Sequence, residues 1–116
     1  MTLNEYQEKA GETAVYPDRG NNLIYTTLGL CGETGEFAEK LKKHIRDKSV
    51  SHDDMIRELG DALWYISQCA FELGVPLDEV AEKNLEKLSK RKAEGKLKGD
   101  GDSRSTTAPT RGEVSA

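Results

Sequence analysis

The sequence has few aromatic residues, 6% of its 116 positions, and apolar residues of all kinds make up only 35%. A single chain of this size and composition has little apolar surface to offset the conformational entropy that is lost on folding. The length allows one domain and makes two unlikely. We therefore expect a single domain that is stabilised by assembly into an oligomer.

The sequence also lacks a long apolar run, since none approaches the roughly 20 residues that cross a bilayer. The first five residues, Met1 to Glu5, have no features of a signal peptide. We expect no membrane partner and a soluble, cytoplasmic protein. An excess of basic charge is absent too, because 17 Lys and Arg face 21 Asp and Glu, and this argues against duplex nucleic acid as a partner. Cys31 and Cys69 have no metal-ligand spacing, which favours free thiols.

Helical periodicity is what the sequence does have. Apolar residues recur at three-to-four spacing in four segments, and Thr2 with Glu5 and Ser51 with Asp54 form capping-box patterns. The predicted helices cover residues 2–14, 23–45, 52–73 and 77–93. No strand pattern is visible, so the predicted fold class is an all-α four-helix bundle over residues 1–96. Residues 97–116 are rich in Gly, Ser, Thr and Asp and predict a disordered tail.

Two pairs of acidic residues face each other across the predicted second and third helices. Glu33 and Glu36 form one pair and Glu58 and Asp61 the other, each at i, i+3, so the members of a pair are neighbours on one helix surface. Both pairs lie equally far along the chain from the turn at Asp47. On each helix, the acidic pair is also offset from the apolar stripe in the same rotational direction. In an antiparallel pair of helices, such offsets lie on the same side, so all four carboxylates are expected to lie together. Solvated acidic faces are a common alternative in a chain with 33% charged residues.

Four convergent carboxylates repel one another unless a cation neutralises them. A site made only of carboxylate oxygens suits Mg²⁺ first and Mn²⁺ second. His44 and His52 do not fit the Glu-x-x-His pattern of di-iron bundles, which disfavours an iron site that activates oxygen. Mg²⁺ held by carboxylates keeps positions open for substrate phosphates, and this indicates phosphoryl or nucleotidyl chemistry.

The segments Gly32 to Glu39 and Glu58 to Trp64 resemble MazG-like nucleotide pyrophosphohydrolases, whose signature is ExxE followed by ExxD. The resemblance covers about residues 2–95. It implies a dimeric or tetrameric, Mg²⁺-dependent all-α enzyme that cleaves nucleoside triphosphates to monophosphates and pyrophosphate. Glu33, Glu36, Glu58 and Asp61 would bind the metal, and Glu33 or Glu36 would be the catalytic general base. The phosphoribosyl-ATP pyrophosphohydrolase branch is one alternative, and a non-catalytic metal-binding interaction module is another.

Asn84, Lys87 and Arg91 share a face of the predicted fourth helix and are candidate substrate-binding residues, since two cations on a polar face suit phosphate. The family that the sequence resembles also has an Asn and basic residues at this place, so the resemblance implies the same role. The alternative is a buried Asn84 beside a solvated Lys/Arg edge.

Four further expectations concern packing and substrate contacts. Close helix packing is the favoured explanation for Gly29, Gly32 and Gly35, because each glycine weakens a helix. Gln7 is either a ligand for a base or ribose or part of a solvated face. Glu39 is either a further metal ligand or a surface partner of Lys43. Apolar residues of the third helix are expected to form the oligomer interface, namely Leu63, Trp64, Tyr65 and Phe71.

Overall fold

The computed structural model describes residues 1–96. It contains four α-helices in the order α1 (Leu3–Gly11), α2 (Leu23–Asp47), α3 (His52–Glu72) and α4 (Leu77–Ala93), with no strand in this part of the chain. The prediction of an all-α four-helix fold is confirmed. The disorder predicted for residues 97–116 lies outside the described residues. Across residues 1–96, no helix combines the length and apolarity that crossing a bilayer requires.

Both predicted capping boxes are present. Thr2 and Glu5 exchange side-chain and backbone hydrogen bonds at the start of α1, and Ser51 and Asp54 do the same at the start of α3. The first helix is shorter than predicted, because the backbone after Gly11 continues in tight turns with bonds to the third preceding residue.

Helix α3 is the centre of the fold. α2 packs along it, and α1 and α4 pack against it and against each other. In residues 1–96, the backbone of α2 does not come close to that of α1 or α4. The approach of α2 to α3 depends on Gly29, because a Cβ atom there would lie 2.1 Å from the ring of Tyr65. Nothing in the described chain lies within 4 Å of a Cβ atom built at Gly32 or Gly35. The packing explanation therefore holds for Gly29 alone within one chain.

Gln7 joins three helices. Its amide nitrogen donates to the carbonyl oxygens of Ser67 (3.2 Å) and Val75 (3.1 Å), and its side-chain oxygen accepts from the backbone N–H of Leu77 (2.9 Å). Because Pro76 at the N-cap of α4 provides no side-chain bond, this bond from α1 satisfies an otherwise open N–H. Gln7 therefore links helices through hydrogen bonds. The two interpretations from the sequence, a ligand for a base or ribose and part of a solvated face, were both wrong.

The loop between α1 and α2 is held by Glu72 at the end of α3. The Glu72 carboxylate accepts from the hydroxyl of Tyr16 (2.8 Å), from the backbone N–H of Gly20 (2.7 Å) and from that of Asn22. Burial raises the pKa of Glu72, but these bonds and the charge of Arg19 outweigh it, and the pKa lies below its usual value. The loop is thus fixed by an ionised carboxylate.

Few apolar side chains are buried within one chain. The buried apolar residues are Ala10, Tyr16, Ala70 and Leu77. Large apolar residues on α2 and α3 are exposed instead, including Leu28 (67%), Ile45 (72%), Ile56 (52%) and Leu59 (55%). Leu41 and Ile45 continue the three-to-four spacing of apolar residues along α2 and are likewise exposed, at 45% and 72%.

Candidate metal centre

Three of the four predicted carboxylates come together between α2 and α3. One carboxylate oxygen from each of Glu33, Glu58 and Asp61 lies within 4.8 Å of the other two. Glu33 and Glu58 are half-buried and Asp61 is exposed. The packing of α2 on α3 therefore brings together three of the four acids for which the spacing predicts convergence. We call these three residues the acidic trio.

The charges of the trio act on one another. Burial raises the pKa of Glu33, and the negative charges of Asp61, Glu58 and Glu36 raise it further. A group whose ionised form is disfavoured by its neighbours gains most from a nearby positive charge. The electrostatics of the trio thus favour a bound cation.

Glu36 lies beside the trio but is not part of it. Its side chain is exposed, and its charge reaches Glu33 one turn earlier on α2. Glu39, considered as a further ligand, forms an ion pair with Lys42 at 3.1 Å instead of with Lys43. Hydrogen bonding to Lys42 also lowers the pKa of Glu39.

Two tyrosines border the trio, and neither was assigned to the site from the sequence. Burial raises the pKa of Tyr65, with contributions from Tyr25 and Glu33, and burial followed by the charge of Asp61 raises that of Tyr6. Tyr65 follows Asp61 by one helical turn, so its spacing was a usable signal. Tyr6 comes from α1, and only the tertiary packing brings it near Asp61.

Four aromatic rings pack together beside the trio, and Tyr65 is one of them. The ring of Trp64 packs edge-on against both Tyr65 (4.9 Å between centroids) and Tyr16 (6.5 Å), and Tyr16 stacks on Tyr25 at 5.1 Å. The indole N–H of Trp64 donates to the hydroxyl of Thr13 at 2.9 Å. Trp64 and Tyr65 are therefore engaged within their own chain. Of the α3 residues expected at an oligomer interface, Leu63 and Phe71 are the more exposed.

The candidate substrate-binding residues lie on α4, which contacts α1 and α3. Asn84 is exposed, Lys87 is half-buried, and Arg91 is buried with 5% exposure. The alternative interpretation, in which Asn84 is buried and the two cations are solvated, is therefore wrong, because Asn84 is exposed and Arg91 is buried. All three residues stay predictions as phosphate ligands.

The donor set of the trio fits a hard divalent cation. It offers only carboxylate oxygens, on two packed helices, and within residues 1–96 it is the group whose arrangement suits a metal. One exposed member, Asp61, leaves a side of the cluster accessible from solvent. Such a site can bind a metal that retains positions for phosphate oxygens.

Comparison with known proteins gives evidence that is independent of this geometry. The model of the MazG nucleotide pyrophosphohydrolase domain matches residues 22–95. The Gene 37 protein of Mycobacterium phage L5 is 44% identical over 114 residues, which cover 90% of this chain and all of that protein. No solved structure matches the chain. The matched segment contains α2, α3, α4 and the whole acidic trio, and the chain belongs to the MazG nucleotide pyrophosphohydrolase family.

Proposed function

We propose that the protein is a cytoplasmic, Mg²⁺-dependent nucleoside triphosphate pyrophosphohydrolase that produces a nucleoside or deoxynucleoside monophosphate and pyrophosphate. The observation that carries the proposal is the acidic trio, in which carboxylate oxygens from Glu33, Glu58 and Asp61 lie within 4.8 Å of one another. Membership of the family supports the reaction class.

Glu33, Glu58 and Asp61 hold Mg²⁺ in this proposal, and Mn²⁺ can replace it. When bound by these residues, the metal would supply polarisation of the α-phosphate and neutralisation of the charge that develops during attack by water. Glu36 supplements the trio or acts as the general base, and its position beside the trio favours the second role. As a base, its exposed carboxylate accepts a proton from the attacking water. Lys87 and Arg91, with Asn84, are proposed to bind the phosphates.

The protein is further proposed to work as a homodimer or homotetramer. Support comes from the small number of buried apolar residues and from the exposed apolar side chains on both α2 and α3. A second copy of the same chain would cover these surfaces and supply the missing core.

The function is tested by measuring pyrophosphate release from a panel of canonical and modified nucleoside triphosphates, with phosphoribosyl-ATP included, in the presence of Mg²⁺. We expect release from at least one nucleotide and none after addition of a chelator. Hydrolysis of phosphoribosyl-ATP alone would favour that branch of the superfamily. No release from any of them would favour the interaction module.

Two substitutions separate the proposed roles of the acids. Glu36→Gln should lower kcat by about 10²- to 10⁴-fold, as the loss of a general base does, while the Mg²⁺-induced rise in melting temperature persists. Asp61→Asn should abolish both turnover and this rise. Without metal, Asp61→Asn should melt no lower than the parent, because it removes a repulsive charge. Glu39→Gln is the matched control, and parent-like behaviour of Asp61→Asn would refute the metal site.

A further inference from the structure

A lysine is paired with one member of the acidic trio across the helix interface. The ammonium nitrogen of Lys40 on α2 lies 3.5 Å from a carboxylate oxygen of Glu58 on α3, and their side chains are 35% and 14% exposed. The ion pairs Lys42–Glu39, Arg46–Asp47 and Arg57–Asp53 each join residues of one helix. Unlike Lys42, Arg46 and Arg57, Lys40 therefore forms its ion pair with a residue of the neighbouring helix, and that residue is a candidate metal ligand.

The position of Lys40 follows from its register on α2. Gly29, Glu33 and Lys40 recur at spacings of four and seven, so all three face α3. Hydrogen bonding to Ser51 lowers the pKa of Asp54, and the charge of Lys40 contributes to the same shift. Since Asp54 precedes Glu58 by one turn, the ammonium borders the trio on the side of the α2–α3 turn.

Lys40 can influence metal binding in two opposite ways. By holding the Glu58 carboxylate in place, Lys40 favours binding of the metal. The energy of a partly exposed ion pair is small, so this ordering of Glu58 changes the metal affinity by a few-fold at most. As a positive charge it repels a divalent cation on the same carboxylate. Even with a dielectric constant near that of water, repulsion between a single and a double positive charge several ångströms apart corresponds to about a tenfold change in affinity. The repulsion is therefore the larger effect.

We propose that Lys40 is a built-in counter-ion of the acidic trio that weakens its affinity for free divalent cations. This inference rests on the proposed metal site and adds a residue that sets its strength. In the metal-free protein, Lys40 neutralises part of the charge that the three carboxylates bring together. A divalent ion arriving alone must then share Glu58 with a cation that is already present.

Isothermal titration of the full-length protein with Mg²⁺ alone, without nucleotide, tests the proposal. Lys40→Met should bind Mg²⁺ about tenfold more tightly than the parent, and Lys40→Arg, which retains the charge, should stay within about threefold of it. Lys42→Met is the matched control, because it removes the same charge two residues away from a pair with Glu39, outside the trio. It should change the affinity by less than about twofold, because solvent and salt screen exposed charges.

The direction of the change separates this role from a structural one. If Lys40 served only to orient Glu58, Lys40→Met would bind Mg²⁺ more weakly, and that result would overturn the proposal, as would equal tightening by Lys42→Met. Should Lys40→Met fail to fold, Lys40→Gln carries the same expectation, with folding checked by circular dichroism. A parent protein that binds no Mg²⁺ would instead refute the acidic trio as a metal site, and the assignment of Lys40 with it.

Discussion

Glu72 shows how one side chain can fix a loop that has no regular structure. Its two carboxylate oxygens accept from two backbone N–H groups and from the hydroxyl of Tyr16. Arg19 lies alongside, donating to Gln68 at 3.3 Å and placing its guanidinium 3.8 Å from the ring centre of Phe71. The fixed loop places the ring of Tyr16 against Trp64, which in turn contacts Tyr65.

Substitution of Glu72 should give a pH-dependent loss of stability. The lowered pKa means that the native state favours the carboxylate more than the unfolded chain does. The stabilisation is therefore present above the ordinary pKa of 4.5 and is lost as the pH falls through the lower native value. Glu72→Gln should cost about 1–3 kcal/mol at pH 7. In thermal melts at decreasing pH, the gap between parent and variant should close below about pH 4.5.

The exposed Glu82 on α4 offers the control for this measurement. Glu82→Gln makes the same chemical change at the surface and should leave the melting temperature close to that of the parent at every pH. A gap between parent and Glu72→Gln that stays constant from pH 7 to pH 3.5 would show that shape, and not charge, holds the loop.

At the scale of the helices, contact between α2 and α3 determines whether the acidic trio can form. Gly29 lies one turn before Glu33, and Tyr65 lies one turn after Asp61. The absence of a side chain at Gly29 admits the ring of Tyr65. Close approach at this level brings the acids of both helices to within reach of a single ion.

A methyl group at Gly29 should therefore separate the two helices. Gly29→Ala should lower the free energy of unfolding by about 1–3 kcal/mol, because the added methyl group overlaps the Tyr65 ring, which must leave its packed position. Gly32→Ala is the matched control, since nothing in the described chain lies within 4 Å of the new Cβ atom. It should stabilise α2 by up to about 1 kcal/mol. Equal melting temperatures for the two variants would contradict the role of Gly29.

The elements that the sequence predicts well are those whose causes are local. The capping boxes at Thr2 and Ser51 each involve residues three apart, and the level of the acidic pairs follows from their equal distance from the turn. Gln7 was misread because its three partners lie some 60 to 70 residues away. Periodicity also identified Leu41 and Ile45 as one face of α2 without showing whether that face meets the same chain or a second copy.

At the scale of the whole molecule, the described part of a single chain has an incomplete core. Exposed apolar side chains occur on α2, α3 and α4, whereas the largest fully buried side chains are Gln68, Thr26 and Ser67. Burial of polar groups in place of aliphatic ones is unusual for the interior of a stable monomer. The imbalance is explained if α2 and α3 contribute to a core shared between chains.

Assembly should accordingly depend on the helices and not on residues 97–116. A chain ending at Lys96 should keep the oligomeric state and melting temperature of the full chain, because the last 20 residues contain few apolar groups. Leu59→Glu, at a position 55% exposed in the single chain, should dissociate the oligomer by burying an unpaired charge at its interface. Val15→Glu is the control, because Val15 is 91% exposed in the α1–α2 loop. Light scattering after gel filtration measures all four proteins, and a monomeric parent, or dissociation on removal of residues 97–116, would refute the shared core.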